Sequence, residues 1–154
     1  MSTDIAIFIA QNIPAEWFDG PVEVCVDREE ILVVGALPAG VDVRAFREHT
    51  RDLRMRIANE TEARWLRKVS WGVRVGEVEH RFTTVSVPVM TRLRLDERLV
   101  LDALIDGGLA RTRSEALAWC VRLVGRHQRE WLDELREASA AVERVRAKGP
   151  DLDA

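Results

Sequence analysis

Few residues in this chain are spaced for covalent chemistry. Its three histidines, His49, His80 and His127, and its two cysteines, Cys25 and Cys120, stand far apart, and tyrosine is absent. None of them has metal-ligand or redox spacing, and there is no GxGxxG, P-loop or nucleophile elbow. The expectation is a protein that is not an enzyme and holds no metal or cofactor. What the sequence does space is arginine. Arg92 and Arg94 alternate with leucine in VMTRLRL, with Met90 one step back. In a strand, successive side chains face opposite sides, so Met90, Arg92 and Arg94 share one face and Thr91, Leu93 and Leu95 the other. On pattern alone such a face reads equally as a solvated surface or as a contact surface. A second arrangement is Arg111-Thr112-Arg113-Ser114-Glu115. Thr at the N-cap with Glu three residues on is a capping box, and the helix it opens presents free N–H groups and the positive end of its dipole to an anion.

The elements around these residues follow from turn chemistry and periodicity. Alternation runs from Val85 to Leu95 without a break, and Pro88, which cannot donate to a ladder, sets the start of the paired stretch at Val89. Asp96 is placed to cap a helix over 97–106, with Leu99, Leu101, Leu104 and Ile105 on its apolar face. Gly107-Gly108 ends it, and Leu109 is expected to plug the core between the helices. The second helix carries Ala116, Leu117, Val121 and Val124 inward.

This order of strand, helix, double glycine and capped helix over residues 89–124 resembles the ribbon-helix-helix family of dimeric DNA-binding proteins. The resemblance covers about a quarter of the chain and leaves the N-terminal half unrecognised. It implies that the strand pairs antiparallel with the same strand of a second subunit, since a lone strand cannot stand by itself. Leu93, Leu95, Leu101, Leu117 and Val121 would then form a shared dimer core, and the dimer would be obligate. It implies Arg92, Arg94 and Met90 as base-facing residues, because the major groove of B-DNA admits a two-stranded ribbon and an arginine fork matches guanine O6 and N7. Met90 departs from the polar side chain usual there. The resemblance further implies that Arg111, Thr112, Arg113 and Ser114 hold a DNA phosphate at the second helix N-terminus.

Beyond the motif, Leu117, Val121, Val124, Gln128, Trp131, Leu135, Ala138, Val142 and Val145 recur at alternating steps of four and three. That is a heptad seam, with Gly125 as the site of a kink or break. The resulting amphipathic helix, 127–148, would pack within the dimer or on another protein, as the C-terminal segments of the family's antitoxin members do. Residues 149–154 read as a frayed tail.

Residues 1–86 read as an α+β domain with an antiparallel sheet and one long helix, suited to oligomerisation or ligand sensing. Ile5, Ile7 and Ile9 suggest a leading strand, and residues 14–18 a single helical turn closed by Asp19-Gly20-Pro21. Two strands lie in 22–37 and two more around Gly76. Between them, 42–67 reads as one helix capped by Asp42, with Val43, Phe46, Leu53, Ile57 and Leu66 inward. Arg44, Arg47, Arg51 and Arg54 share a second face, which acidic neighbours make a solvated surface rather than a binding patch. His80 falls in step with the apolar positions and reads as a partly buried, satisfied histidine. Trp17, Trp65 and Trp71 read as core anchors.

Composition bounds the rest. The chain has 154 residues, 47% hydrophobic and 32% charged, with net charge -3. That is a folded, globular balance, and any nucleic-acid binding must come from a local surface. Residues 89–126 hold seven basic and five acidic side chains, whereas acidic residues are in excess on both sides. No basic-then-apolar leader opens the chain, and no apolar run approaches the ~20 residues that span a bilayer, so a cytoplasmic bacterial protein is expected. These readings converge on a homodimeric transcriptional regulator that binds double-stranded DNA. The alternative is a dimerisation or protein-interaction module, antitoxin-like, without DNA readout.

Overall fold

The structure, a computed structural model, describes residues 2–149 and is α+β, with a four-stranded sheet and six α-helices among those residues. It divides into two units, Met1–Val89 and Met90–Ala154.

The first unit runs α1 (Ser2–Asn12), a 3-10 turn (Ala15–Trp17), β1 (Glu23–Val26), β2 (Glu30–Ala36), α2 (Val43–His49), α3 (Arg51–Trp65), β3 (Lys68–Val75) and β4 (Val78–Arg81). The leading segment is a helix, not the expected strand. Isoleucines two apart satisfy a strand, but Ile5 and Ile9 also stand four apart, one helical turn, and both are fully buried while Ile7 is exposed. Asp27 shapes the β1–β2 turn: its Oδ1 accepts the N–H groups of Glu29 and Glu30, at 2.8 and 2.6 Å. These bonds hold its carboxyl below the usual aspartate range.

The sheet has the order β1-β2-β3-β4 and is mixed, which corrects the antiparallel expectation. β1 and β2 are antiparallel, as are β3 and β4, but β2 and β3 pair in parallel, from Glu30 beside Lys68 to Ala36 beside Arg74. A tight turn returns a chain antiparallel, whereas the helical crossover through α2 and α3 brings it back in the same direction. Central β2 is accordingly a near-continuous apolar run. The core joins Ile5 and Ile9 of α1, Ile57 of α3, Ile31 and Val33 of β2, and Trp71 and Val73 of β3 to Phe18, Leu37 and Phe82. Phe18 lies flat against Gly35: a Cβ built there would stand 2.3 Å from the ring.

The long helix expected over 42–67 is two helices. Asp42 caps the first through its Oδ1, which accepts the Ala45 N–H at 2.7 Å. Thr50 divides them, its hydroxyl donating to the Phe46 carbonyl at 2.7 Å and accepting from Arg54 Nε at 3.0 Å. Arg54 is therefore not part of a wet basic face. It is buried, its second nitrogen donates to the Arg47 carbonyl at 2.7 Å, and its guanidinium lies 4.8 Å from the Phe82 ring centre. Burial lowers its pKa, helped by the nearby charge of Arg47. Leu66, expected inward, is 88% exposed and adopts a left-handed φ of 56° as it ends α3. His80 does sit opposite core-facing Val73, but β4 is the outermost strand and His80 is exposed.

The second unit contains α4 (Leu95–Asp106), α5 (Arg113–His127) and α6 (Arg129–Lys148). Gly108 turns the chain with φ 76°. Of its described residues only Leu101, Ala110 and Ala116 are buried, with Leu93, Leu104, Ile105, Leu117 and Cys120 packed against them. Leu109 is exposed, and Ala110 fills the place expected for it. Gly125 lies inside α5, and the helix breaks three residues later at Gln128, with φ -118° and ψ 30°. The tail beyond Gly149 lies outside the described residues.

Candidate nucleic-acid interface

Residues 83–94 form no strand in the single chain. That differs from the expected ribbon for a simple reason: among the described residues no strand forms a ladder with it, and a strand exists only through its ladder. On the side expected to face the core, Leu93 alone is drawn in, and Thr91 and Leu95 are exposed. Leu93 is half-buried against the Leu101 cluster, while Met90, Arg92 and Arg94 are exposed, Met90 at 96%.

Two interactions hold the end of this segment to α4. The backbone N–H of Arg94 donates to Glu97 Oε2 at 2.6 Å, and Arg98 donates from its guanidinium to the Leu93 carbonyl at 2.7 Å. The helix starts at Leu95 with Arg94 as its N-cap residue, so Asp96 does not cap it. Glu97 does the work instead by reaching back to a free backbone donor, as the acid of a capping box does. Leu95 is thereby drawn into the first turn, where it is exposed.

At the start of α5, Thr112 Oγ1 accepts the Glu115 N–H at 3.1 Å, as the sequence predicts. Glu115 Oε2 accepts the Arg111 N–H at 2.9 Å, one residue ahead of the expected N-cap partner. Arg111, Thr112, Arg113 and Ser114 are all exposed. The charge of Arg113 is engaged, however. Its Nε and terminal nitrogen donate to the two carboxylate oxygens of Asp102, each at 2.8 Å. The paired guanidinium holds the Asp102 carboxyl below its usual range, and the carboxylate in turn raises Arg113. Asp102 and Arg98 were not singled out in the sequence. Their partners lie eleven and five residues away on other segments, beyond any local spacing rule.

The residues expected in a dimer core divide into two groups. Leu101 is buried, and Leu93 and Leu117 are half-buried. Leu95 and Val121 are exposed, together with Leu99, Val100, Leu109 and Val124. The unit thus carries more large apolar side chains in solvent than in its core. Among the described residues no cluster of His, Cys, Asp and Glu is arranged to hold a metal, and no helix is long and apolar enough to cross a membrane.

Residues 3–81 match the family described as Rv1265-like protein, N-terminal domain, and residues 94–146 match the Mb1296 C-terminal domain. Three mycobacterial proteins are each 52% identical over 161 aligned positions, covering 97% of this chain and 71% of theirs. The chain belongs to the Rv1265-like family. Those relatives are the uncharacterized proteins Mb1296 of Mycobacterium bovis and MT1303 and Rv1265 of Mycobacterium tuberculosis. No solved structure matches the chain. The two matched stretches of this Rv1265-like protein leave residues 82–93 between them, and that interval contains Met90, Arg92 and Leu93.

Proposed function

We propose that this Rv1265-like protein is a dimeric, sequence-specific DNA-binding transcriptional regulator acting in the cytoplasm. Residues 89–95 of two copies pair as an antiparallel ribbon, and Arg92 and Arg94 from each enter the major groove beside Met90. Arg111, Thr112, Arg113 and Ser114 approach a phosphate at the start of α5. The observation that carries this reading is the placement of Leu93. Its side chain leans on the helical core while Met90, Arg92 and Arg94 stand in solvent. The segment's backbone has no ladder, and the unit beneath it buries only three of its described residues. Both deficits are supplied by a second copy.

The test is binding of the purified full chain to genomic fragments at low salt. Phosphate contacts dominate such affinity, so binding falls steeply as salt rises. Each bidentate arginine–guanine contact discriminates by about 1–3 kcal/mol, so Arg92→Ala/Arg94→Ala weakens specific binding at least tenfold. Undiminished binding by that double variant, or none by the wild type, refutes the proposal.

A second reading keeps the ribbon-helix-helix arrangement for dimerisation and protein contact only. The start of α5 favours it, because Asp102 already neutralises Arg113 and Glu115 already occupies a free N–H. A dimer that binds no fragment at any salt concentration selects this reading.

A further inference from the structure

α6 is a twenty-residue helix with no buried residue, and its apolar stripe faces solvent. Trp131, Leu135, Val142 and Val145 are all about half exposed or more, and Ala138 between them is exposed too. Their spacing is that of a coiled-coil seam, which buries its stripe only against another helix. The break at Gln128 makes α6 a separate rod from α5. The charges beside the seam then decide what covers it.

We propose that α6 pairs antiparallel with α6 of a second copy, centred on Ala140. In that register Leu135 meets Val145 of the second copy and Ala138 meets Val142. Trp131 reaches Gly149, which has no side chain to obstruct the indole. The overlap uses nearly the whole helix, Arg129–Lys148. On one flank Glu134 meets Lys148 of the second copy, and symmetry repeats the pair. Among the described residues neither group has an ion pair within its own chain, whereas neighbouring Asp133 is already bonded to Arg136. A parallel pairing would set Glu134 beside Ser139 and Ala141 beside Arg146, with no opposite charges in contact. Charge complementarity therefore selects the antiparallel arrangement. This inference goes beyond the DNA-binding reading and stands without it, because it uses no residue before α6.

The test is the molar mass of the full chain, followed by light scattering or sedimentation across concentration. Glu134→Lys and Lys148→Glu each turn two attractions into two repulsions, and each weakens the α6 association roughly tenfold. Mixing the two single variants restores it, because every flank pair is again of opposite sign. Orientation is read with cysteines: in a Cys25→Ser/Cys120→Ser background, Ala138→Cys protein oxidised with Val142→Cys protein gives the mixed disulfide. Single variants whose mass depends on concentration as the wild type's does overturn the proposal. So do mixed variants that stay apart, or oxidation that yields only disulfides between like chains. Loss of DNA binding by Arg92→Ala/Arg94→Ala with unchanged mass leaves this interface intact, so the two proposals fail separately.

Discussion

Arg113 of α5 grips Asp102 of α4 through two parallel hydrogen bonds of 2.8 Å. The pair ties the two helices together.

Because Asp102 is held below its ordinary value in the native state, its contribution to stability is full above the unfolded carboxyl range, near ~3.9. That contribution disappears as pH falls through the lowered native value. Asp102→Asn is therefore expected to lower Tm at neutral pH, with the difference from wild type vanishing in acid. Thermal melts of both proteins across the acid range measure this. A difference that persists at the acid end contradicts it. If the start of α5 meets phosphate, the same variant also binds DNA more tightly, because Arg113 is released.

Gly35 carries the Phe18 ring on its α-carbon face. Gly35→Ala forces that ring aside and is expected to cost about 1–3 kcal/mol, the usual penalty for overpacking. Adding Phe18→Leu to Gly35→Ala should recover part of the loss, since the smaller side chain vacates the contact. Urea unfolding of the two variants decides the matter, and a Gly35→Ala protein as stable as wild type would disprove the contact.

Arg54 distinguishes a structural arginine from a surface one. Arg54→Ala removes the bonds to Thr50 and Arg47 and the contact with Phe82, an expected loss of about 2–4 kcal/mol. Arg54→Lys recovers little, because an ammonium lacks the planar fork that reaches both acceptors. Arg44, on the same sequence spacing, is exposed, and Arg44→Ala should change stability by less than ~0.5 kcal/mol. Equal effects at the two positions would contradict this assignment.

Val121 tests the dimer directly. It is 66% exposed in one copy, on the face expected to be shared between two. Val121→Asp would set a carboxylate at that interface and is expected to shift the protein to a smaller species at micromolar concentration, with a lower Tm. An unchanged sedimentation profile places the interface elsewhere.

Much of the first unit was legible because its signals are local. The Asp42 cap, the strands on either side of Arg28 and around Gly76, and the helical turn at residues 15–17 each rest on neighbouring residues. Misreadings arose where one local pattern served two structures. Ile5, Ile7 and Ile9 alternate like a strand, yet the core took Ile5 and Ile9 as successive turns of a helix. Arg54 keeps the spacing of a wet arginine row, but Phe82, far along the chain, gives it a buried face.

Periodicity and turn chemistry alone were enough to establish an α+β chain, the double-glycine turn and the Thr112 cap. These depend on φ preferences, side-chain reach and residue alternation, which are written within a few residues of one another. Strand direction across the sheet, the division of the long helix at Thr50, the pairing of Arg113 with Asp102 and the burial of Arg54 belong to tertiary structure. Each is a choice among partners that local sequence leaves equivalent, and only packing the whole unit into one core makes one of them lower in free energy.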